Sequence, residues 1–416
     1  MTIASQHYLL CPFGSGGDVF PFIALGKGLL ARGHRVTVVS LEVYEKAIRA
    51  AGLEFVSVGT AADFERIASD PRVWHPIHGP RTVFKRGADA VRVYFEALTG
   101  LIRDPKRVTI LAPATVFGAR LAREKAGARL LTVHLQPAVF LSVHDTPVFL
   151  AAAPWVSRLP IWVKRFLFKL PNPINQFITP ALRRECAAEG VPAPRSAYPD
   201  WWDSPDGSIA LFPSWFAAPQ PDWPTLLCQH TFPREDLAEG AVLGPELEAF
   251  LEAGDKPIVF TPGTGHRQVR KFFEEALDAV QRLGRRAIFA TRQVLDLPPL
   301  PSSVLAVEYV PFSLLLPRSA ALVYHGGIGT CSQALAAGIP HLVMAMAHDQ
   351  PDNANRLRRL RVGMGITPRQ FKGPRVAECL KHLLESPEVA QHCADCARRM
   401  QSDPHLEVLL DWIEKH

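Results

Sequence analysis

The first forty residues read as strand, glycine-rich turn, helix and strand in succession: "HYLLCP", "FGSGGD", "VFPFIALGKGLLARG", "HRVTVVS". Phe22, Leu25, Leu29 and Leu30 recur at helical spacing, and Gly33 follows the last turn as a C-cap does. Strands joined by a helix close as parallel neighbours through a right-handed crossover, since the tight hairpin that would pair them antiparallel is missing. The chain is thereby committed to an α/β class with a parallel sheet. "LEFVSVG" and "RLLTVHL" continue the strand series, with helices expected around 85–102 and 116–126.

A second βα series begins at "KPIVFTPGTG". It runs through the amphipathic "VRKFFEEALDAVQRLG", then "RRAIFATR", "SVLAVEYVP", "FSLLLPRS" and "AALVYH". At 416 residues the chain exceeds the roughly 250–300 residues at which one core stops growing, so two domains are expected. The four prolines of "FAAPQPDWPTLLCQHTFPREDLAEG", 216–240, break periodicity and mark the boundary. The expected division is 1–220, a linker at 221–240, a second domain at 241–395, and a helical end at 396–416 that packs back on the first domain.

Composition is that of a globular protein, 48% hydrophobic and 21% charged. The net charge of +6 is scattered apart from clusters such as Arg356, Arg358, Arg359 and Arg361; it suits anionic ligands or surfaces and gives no nucleic-acid footprint. Seven irregularly spaced cysteines imply no disulfide framework and point to a reducing cytoplasm. Cys393 and Cys396 form a single C-x-x-C on a polar helix, more consistent with surface-helix cysteines than with a metal site. No signal-peptide pattern opens the chain and no run of 18 apolar residues occurs, so a cytoplasmic protein is expected, with at most peripheral contact at the inner face of a membrane. Residues 150–185 are apolar, aromatic, basic and broken by prolines, which fits packing on the first sheet, an apolar acceptor pocket or a membrane interface.

The stretch "HGGIGTCSQALAAGIP", 325–340, places a histidine and three glycines where a strand turns into a helix. A helix N-terminus carries unpaired N–H groups and about half a positive charge, so it favours an anion, phosphate above all. His325, Gly326, Gly327, Gly329 and Thr330 are therefore candidate diphosphate contacts, although glycine is also what a tight turn demands. Nineteen residues beyond Thr330, "HDQPDNANRLRRL" places Asp349, Gln350 and Asn353 at the mouth of another helix; each alone reads as a cap, while together they supply donors and acceptors for sugar hydroxyls and a phosphate oxygen.

The constellation strand–HGGxGT–helix–GIP–strand–HDQxDNA resembles the donor signature of the GT-B glycosyltransferases of family 1. "GSGGDVFPFIALGKGLLARGHRVT" is similar to the acceptor-domain opening of the bacterial and sterol branches, and "DSPDGSIALFPSWFAAPQPDWP" and "EYVPFSLLLPRSAALVYHGGIG" look most like the rhamnolipid rhamnosyltransferase branch. The resemblance implies two Rossmann-like parallel-sheet domains facing across a cleft, the first binding acceptor and the second a nucleotide sugar. It implies an inverting, cofactor-free transfer of a hexose or deoxyhexose from a UDP- or dTDP-sugar to a hydroxyl of a lipid hydroxy acid, sterol or phenolic.

Carried onto this sequence, the resemblance makes Asp18 the catalytic base, in competition with a helix-capping role. It places the diphosphate on His325, Gly326, Gly327, Gly329, Thr330, Thr261, Gly263, Thr264 and Asn353, the sugar on Asp349 and Gln350, and the nucleoside beside Tyr309, Val310 and Gln333. Gln333 stands where many UDP-using relatives carry a glutamate, which leaves UDP and dTDP both open. His134, Gln136 and Phe140 are candidate acceptor contacts, with satisfied polar groups at a strand end as the alternative, and the tryptophans at 201, 202, 215 and 223 read as interdomain packing. No D-x-D occurs in the sequence, which removes the usual metal–diphosphate clamp and supports metal-independent action. Two rivals remain at this level. Against a nicotinamide oxidoreductase, Gly14–Val19 lacks the third glycine of G-x-G-x-x-G and strand two ends at Ser40 and not in an acid; a nucleotide-sugar or lipid carrier would bind without transfer.

Overall fold

The computed structural model describes residues 5–150, 153–236, 241–263, 269–294 and 297–416. Among the described residues thirteen strands form two sheets, every pairing parallel. The first holds β1 (His7–Leu10), β2 (Arg35–Ser40), β3 (Glu54–Ser57), β4 (Val108–Ala112), β5 (Arg129–His134), β6 (Ser208–Leu211) and β7 (Leu227–His230), in the order β3-β2-β1-β4-β5-β6-β7. The second holds β8 (Ile258–Thr261), β9 (Ala287–Ala290), β10 (Val304–Val307), β11 (Ala321–Tyr324), β12 (His341–Met344) and β13 (Gly363–Ile366), in the order β10-β9-β8-β11-β12-β13. Each sheet winds outward from its first strand and then reverses, so the order switches between β1 and β4 and again between β8 and β11.

The central strands are apolar runs without alternation: β4, β8, β11 and β12 are buried at every residue. Parallel strands covered by helices on both faces require this. The first core gathers Leu9, Ile110, Phe117, Leu121, Leu182, Trp201 and Trp202. The four tryptophans belong to the first unit, where Trp202 donates Nε1–H to Val139 O at 3.1 Å, Trp223 stacks on Phe140, and Trp215 meets Phe216 edge-on.

The chain divides into two compact units, 1–147 with 157–233 and 404–416, and 148–156 with 234–403. The stretch read as a linker therefore contains β7, which pairs Leu227–His230 with β6; the prolines at 219, 221, 224 and 233 bracket the strand rather than replace it. Residues 148–156 join the second unit, where Val148 N–H bonds Asp352 Oδ1 at 3.1 Å. Cys393 and Cys396 are buried, not surface residues, on the helix Pro387–Ser402, and burial pushes their thiols up to about 12 and about 11.

The helix Leu406–Lys415 belongs to the first unit. Leu409, Leu410 and Ile413 are wholly buried, worth about 1.5–3 kcal/mol each, and Leu410 lies against Gly28, where a Cβ would come within 2.6 Å of its Cδ1. Glu414, almost inaccessible, accepts from Arg32 at 2.9 Å and pairs with the buried His34 at 2.8 Å. Glu414→Ala strands the buried His34 Nε2, while Arg32 keeps Glu407 and Asp411, and is expected to lower the unfolding free energy of the first unit by about 1–3 kcal/mol, read as a lower urea midpoint at unchanged slope; Glu414→Gln should recover part of the loss.

Candidate functional site

In each unit the loops at the carboxyl ends of the strands flanking the order reversal are the expected ligand positions in an open parallel sheet. In the first unit that loop follows β1 and leads into the helix Gly16–Ala31, whose third residue is Asp18. Asp18 Oδ2 accepts from Ser15 N at 2.7 Å and from Ser15 Oγ at 3.1 Å. The helix thus starts two residues before Asp18 with Ser15 as its cap, and Asp18 folds back onto Ser15 from the third position with one oxygen only; among the described residues nothing donates to Oδ1. Loss of hydration pushes the Asp18 carboxyl up to about 6 against the opposing Ser15 bonds. Gly14, at φ 137°, makes this fold-back feasible, because a side chain there would overlap the carboxylate.

In the second unit, three loops converge by topology. β8 and β11 are neighbours in register, Thr261 opposite Tyr324, so Gly263 and His325 leave adjacent strand ends. A Cβ at Gly263 would lie 2.5 Å from the His325 ring, and one at Gly327 would lie 2.5 Å from His325 Nε2. The imidazole is therefore seated between two bare backbone segments that only glycine permits. Thr261 Oγ1 accepts from Gly263 N at 3.3 Å; Thr264 lies outside the described residues. The helix Ile328–Ala337 has Gly327 as N-cap, with no side chain capping it, and its first internal bond comes from Cys331 N to Gly327 O at 2.9 Å. Among the described residues the amides of Ile328, Gly329 and Thr330 have no acceptor on the chain, which is an anion site in waiting.

The third loop follows β12, and several of its polar atoms are engaged by the protein itself. Gln350 is buried, and its Oε1 accepts from Met346 N at 2.9 Å and Ala347 N at 3.2 Å, so that oxygen braces the loop instead of a sugar. Asn353 is fully buried with its amide nitrogen committed to Gly326 O at 2.9 Å and Asp349 Oδ2 at 2.7 Å. Both N–H bonds are used, so Asn353 reaches a phosphate only through the glycine loop it holds. Asp349 stands at the N-cap position of the helix Gln350–Arg359 without a side-chain capping bond, and remains partly exposed. His348, just before it, adopts φ 61°, an uncommon value for a residue with a side chain. Below them Arg356 and Asp352 form a buried pair at 2.7 Å.

Tyr309 is 47% exposed and donates its hydroxyl to Asp236 O at 2.7 Å; Val310 beside it is buried, and Gln333 is buried on the helix Ile328–Ala337. In the first unit His134 is buried and pairs with Asp203 Oδ1 at 2.7 Å, which also accepts from Ser208 Oγ at 2.8 Å. Burial opposes ionisation of Asp203, but the His134 bond and charge hold it below the usual carboxylate range. Phe140 is buried between His134 and Trp223, with ring centroids 4.6 and 4.5 Å away. These two are packed residues, the satisfied strand-end alternative; Gln136 alone of the three keeps partial exposure. Sequence reasoning missed Ser15 as the group holding Asp18, although an S-x-x-D spacing before an apolar helix is a capping-box signal. It also missed Val148 as a partner of Asp352, for which no local signal exists.

Among the described residues no group of three or more His, Cys, Asp or Glu is arranged to hold a metal ion, and no helix is long and apolar enough to cross a membrane. Residues 274–414 match the sequence model described as Erythromycin biosynthesis protein CIII-like, C-terminal domain, and residues 8–102 that of the Glycosyltransferase family 28 N-terminal domain. O-mycaminosyltylonolide 6-deoxyallosyltransferase of Streptomyces fradiae is 31% identical over 386 residues, 84% of this chain and 83% of that enzyme. A sterol 3-beta-glucosyltransferase of Arabidopsis thaliana is 24% identical over 440 residues, 100% of this chain and 66% of the plant protein. Among solved structures, the glycotransferase of kitacinnamycin superposes with a TM-score of 0.73 at 20% identity over 99% of both chains, and the glycosyltransferase VinC in complex with dTDP with 0.68 at 19% identity over 98% of both. The solved structures establish the fold, and the likeness to the Streptomyces enzyme across more than four-fifths of both chains establishes the relationship: this chain belongs to the GT-B glycosyltransferases of family 1.

Proposed function

We propose that the chain transfers a hexose or deoxyhexose from a UDP- or dTDP-sugar to a hydroxyl of an apolar small molecule, with inversion at the anomeric carbon and without a metal ion. The observation that carries this reading is the trio of unpaired amides at Ile328, Gly329 and Thr330, beside glycines stripped of side chains around His325. Such donors need no reorganisation when charge develops, and in comparable oxyanion sites each is worth about 3–4 kcal/mol. The absence of D-x-D gives the diphosphate no aspartate clamp to share with a divalent ion. A dTDP donor is supported by the VinC complex, and a bulky apolar acceptor by relatives named for a macrolide and for sterols.

The balance is a single displacement. The acceptor oxygen forms the new bond to the anomeric carbon as the bond to the diphosphate oxygen breaks; the acceptor proton passes to Asp18 Oδ1, and the departing charge settles on the amides, Thr330, Thr261 and His325. A carboxylate with pKa about 6 is a better base than an ordinary one near 3.8 while still ionised at neutral pH. Asp349 contacts the transferred sugar, and Tyr309, Val310 and Gln333 line the nucleoside.

Mass-spectrometric screening of UDP- and dTDP-sugars against macrolide aglycones, sterols, hydroxy fatty acids and phenolics tests the reading; nucleoside diphosphate released without any glycosylated acceptor would reduce the chain to a hydrolase, and donor bound with no nucleoside diphosphate released would make it a carrier. Asp18→Asn is expected to lower kcat by about 10²–10⁴ with donor affinity by calorimetry unchanged, and unaltered turnover removes the base role. Because the base must be ionised, kcat/KM should fall as pH drops through about 6; Ser15→Ala, which removes a bond favouring the carboxylate, should move that limb to higher pH. Gly263→Ala, at φ 87° and against the His325 ring, should weaken nucleoside-diphosphate binding about tenfold or more while leaving cooperative unfolding intact.

A further inference from the structure

The helix Ile161–Lys169 is built inside out. Its sole buried residue is Lys164, whose Nζ donates to Val143 O at 3.1 Å, while Trp162 is 74% and Phe166 64% exposed. Ile161, Leu167, Phe168 and the following Leu170 are exposed as well. Trp162, Phe166 and Lys169 stand at i, i+4 and i+7, with Arg165 at i+3, so aromatic rings and cations share one face. Water is a poor neighbour for so many contiguous apolar side chains.

Charge identifies the occupant. From Thr146 to Arg184 the sequence contains no aspartate or glutamate but six cations, Arg158, Lys164, Arg165, Lys169, Arg183 and Arg184. Arg158, Arg165 and Lys169 are exposed and form no ion pair among the described residues. Prolines at 160 and 171 stop the helix at nine residues, about 13 Å long, too short to span a bilayer and able only to lie flat. Exposure extends around most of its circumference, which suits immersion among lipid headgroups better than a flat protein partner. Tryptophan and phenylalanine favour the headgroup–acyl boundary, and arginine and lysine stems reach from it to phosphate.

We propose that the helix Ile161–Lys169 is a membrane-docking element that lays its aromatic face into an anionic lipid surface, tethered to the first unit by the Lys164 hydrogen bond. The docking is independent of the transfer chemistry, and its readout needs no turnover. The full chain is floated with vesicles of phosphatidylcholine alone or mixed equally with phosphatidylglycerol. Wild type should float with the anionic vesicles, less with neutral ones, and less again at raised salt. Trp162→Ala/Phe166→Ala and Arg165→Glu/Lys169→Glu should each reduce bound protein about tenfold with unchanged thermal melting and unchanged transfer to a water-soluble acceptor. Failure to float, equal binding to neutral vesicles, or double variants that float like wild type would overturn the assignment. So would a wild-type dimer that Trp162→Ala/Phe166→Ala disperses without any lipid binding, which gives the face to a second copy of the chain.

Discussion

Parallel pairing is the constraint on which everything else depends. Every strand of a sheet points the same way, so all carboxyl ends, and the loops that follow them, collect along one edge. Where the strand order reverses, adjacent loops depart in opposite directions and leave backbone exposed between them. Asp18 follows β1 at such a point, and Gly263 and His325 follow β8 and β11 at the other. At the second of these points the amides of Ile328, Gly329 and Thr330 have no acceptor among the described residues.

A loop of glycines does not hold its own shape, and the second unit supplies the stiffness from beneath. Asn353 grips the carbonyl of Gly326, Gln350 grips the amides of Met346 and Ala347, and Asp352 joins Arg356 to Val148. Buried polar groups in these numbers are tolerable because they are almost fully bonded, and a bonded network fixes geometry more tightly than apolar packing does. The polar run "DQPDN" accordingly divides its labour: Asp349 stays partly open, while its neighbours point into the protein.

The periodicities of the first forty residues, the strand-to-glycine transitions and the likeness of "HGGIGT" to a donor loop made the α/β class and the glycosyltransferase family legible from sequence, since all are local. What stayed hidden was long-range. His134 read both as an acceptor contact and as a satisfied strand-end group because nothing nearby announces Asp203, 69 residues on. β7 read as linker because prolines mask a strand that pairs with β6. Asn353 and Gln350 carry the right chemistry for a ligand, and only their burial shows that the backbone claimed it first.

The return of residues 404–416 to the first unit has a consequence for synthesis. The pocket that receives Leu409, Leu410 and Ile413, and the charges of Arg32 and His34, are made early on the ribosome and must wait for the whole second unit to be translated before they are covered. During that interval an apolar groove beside Gly28 stays open to water and to chaperones. Maturation is thus timed by the last segment of the first unit to emerge, not by the first.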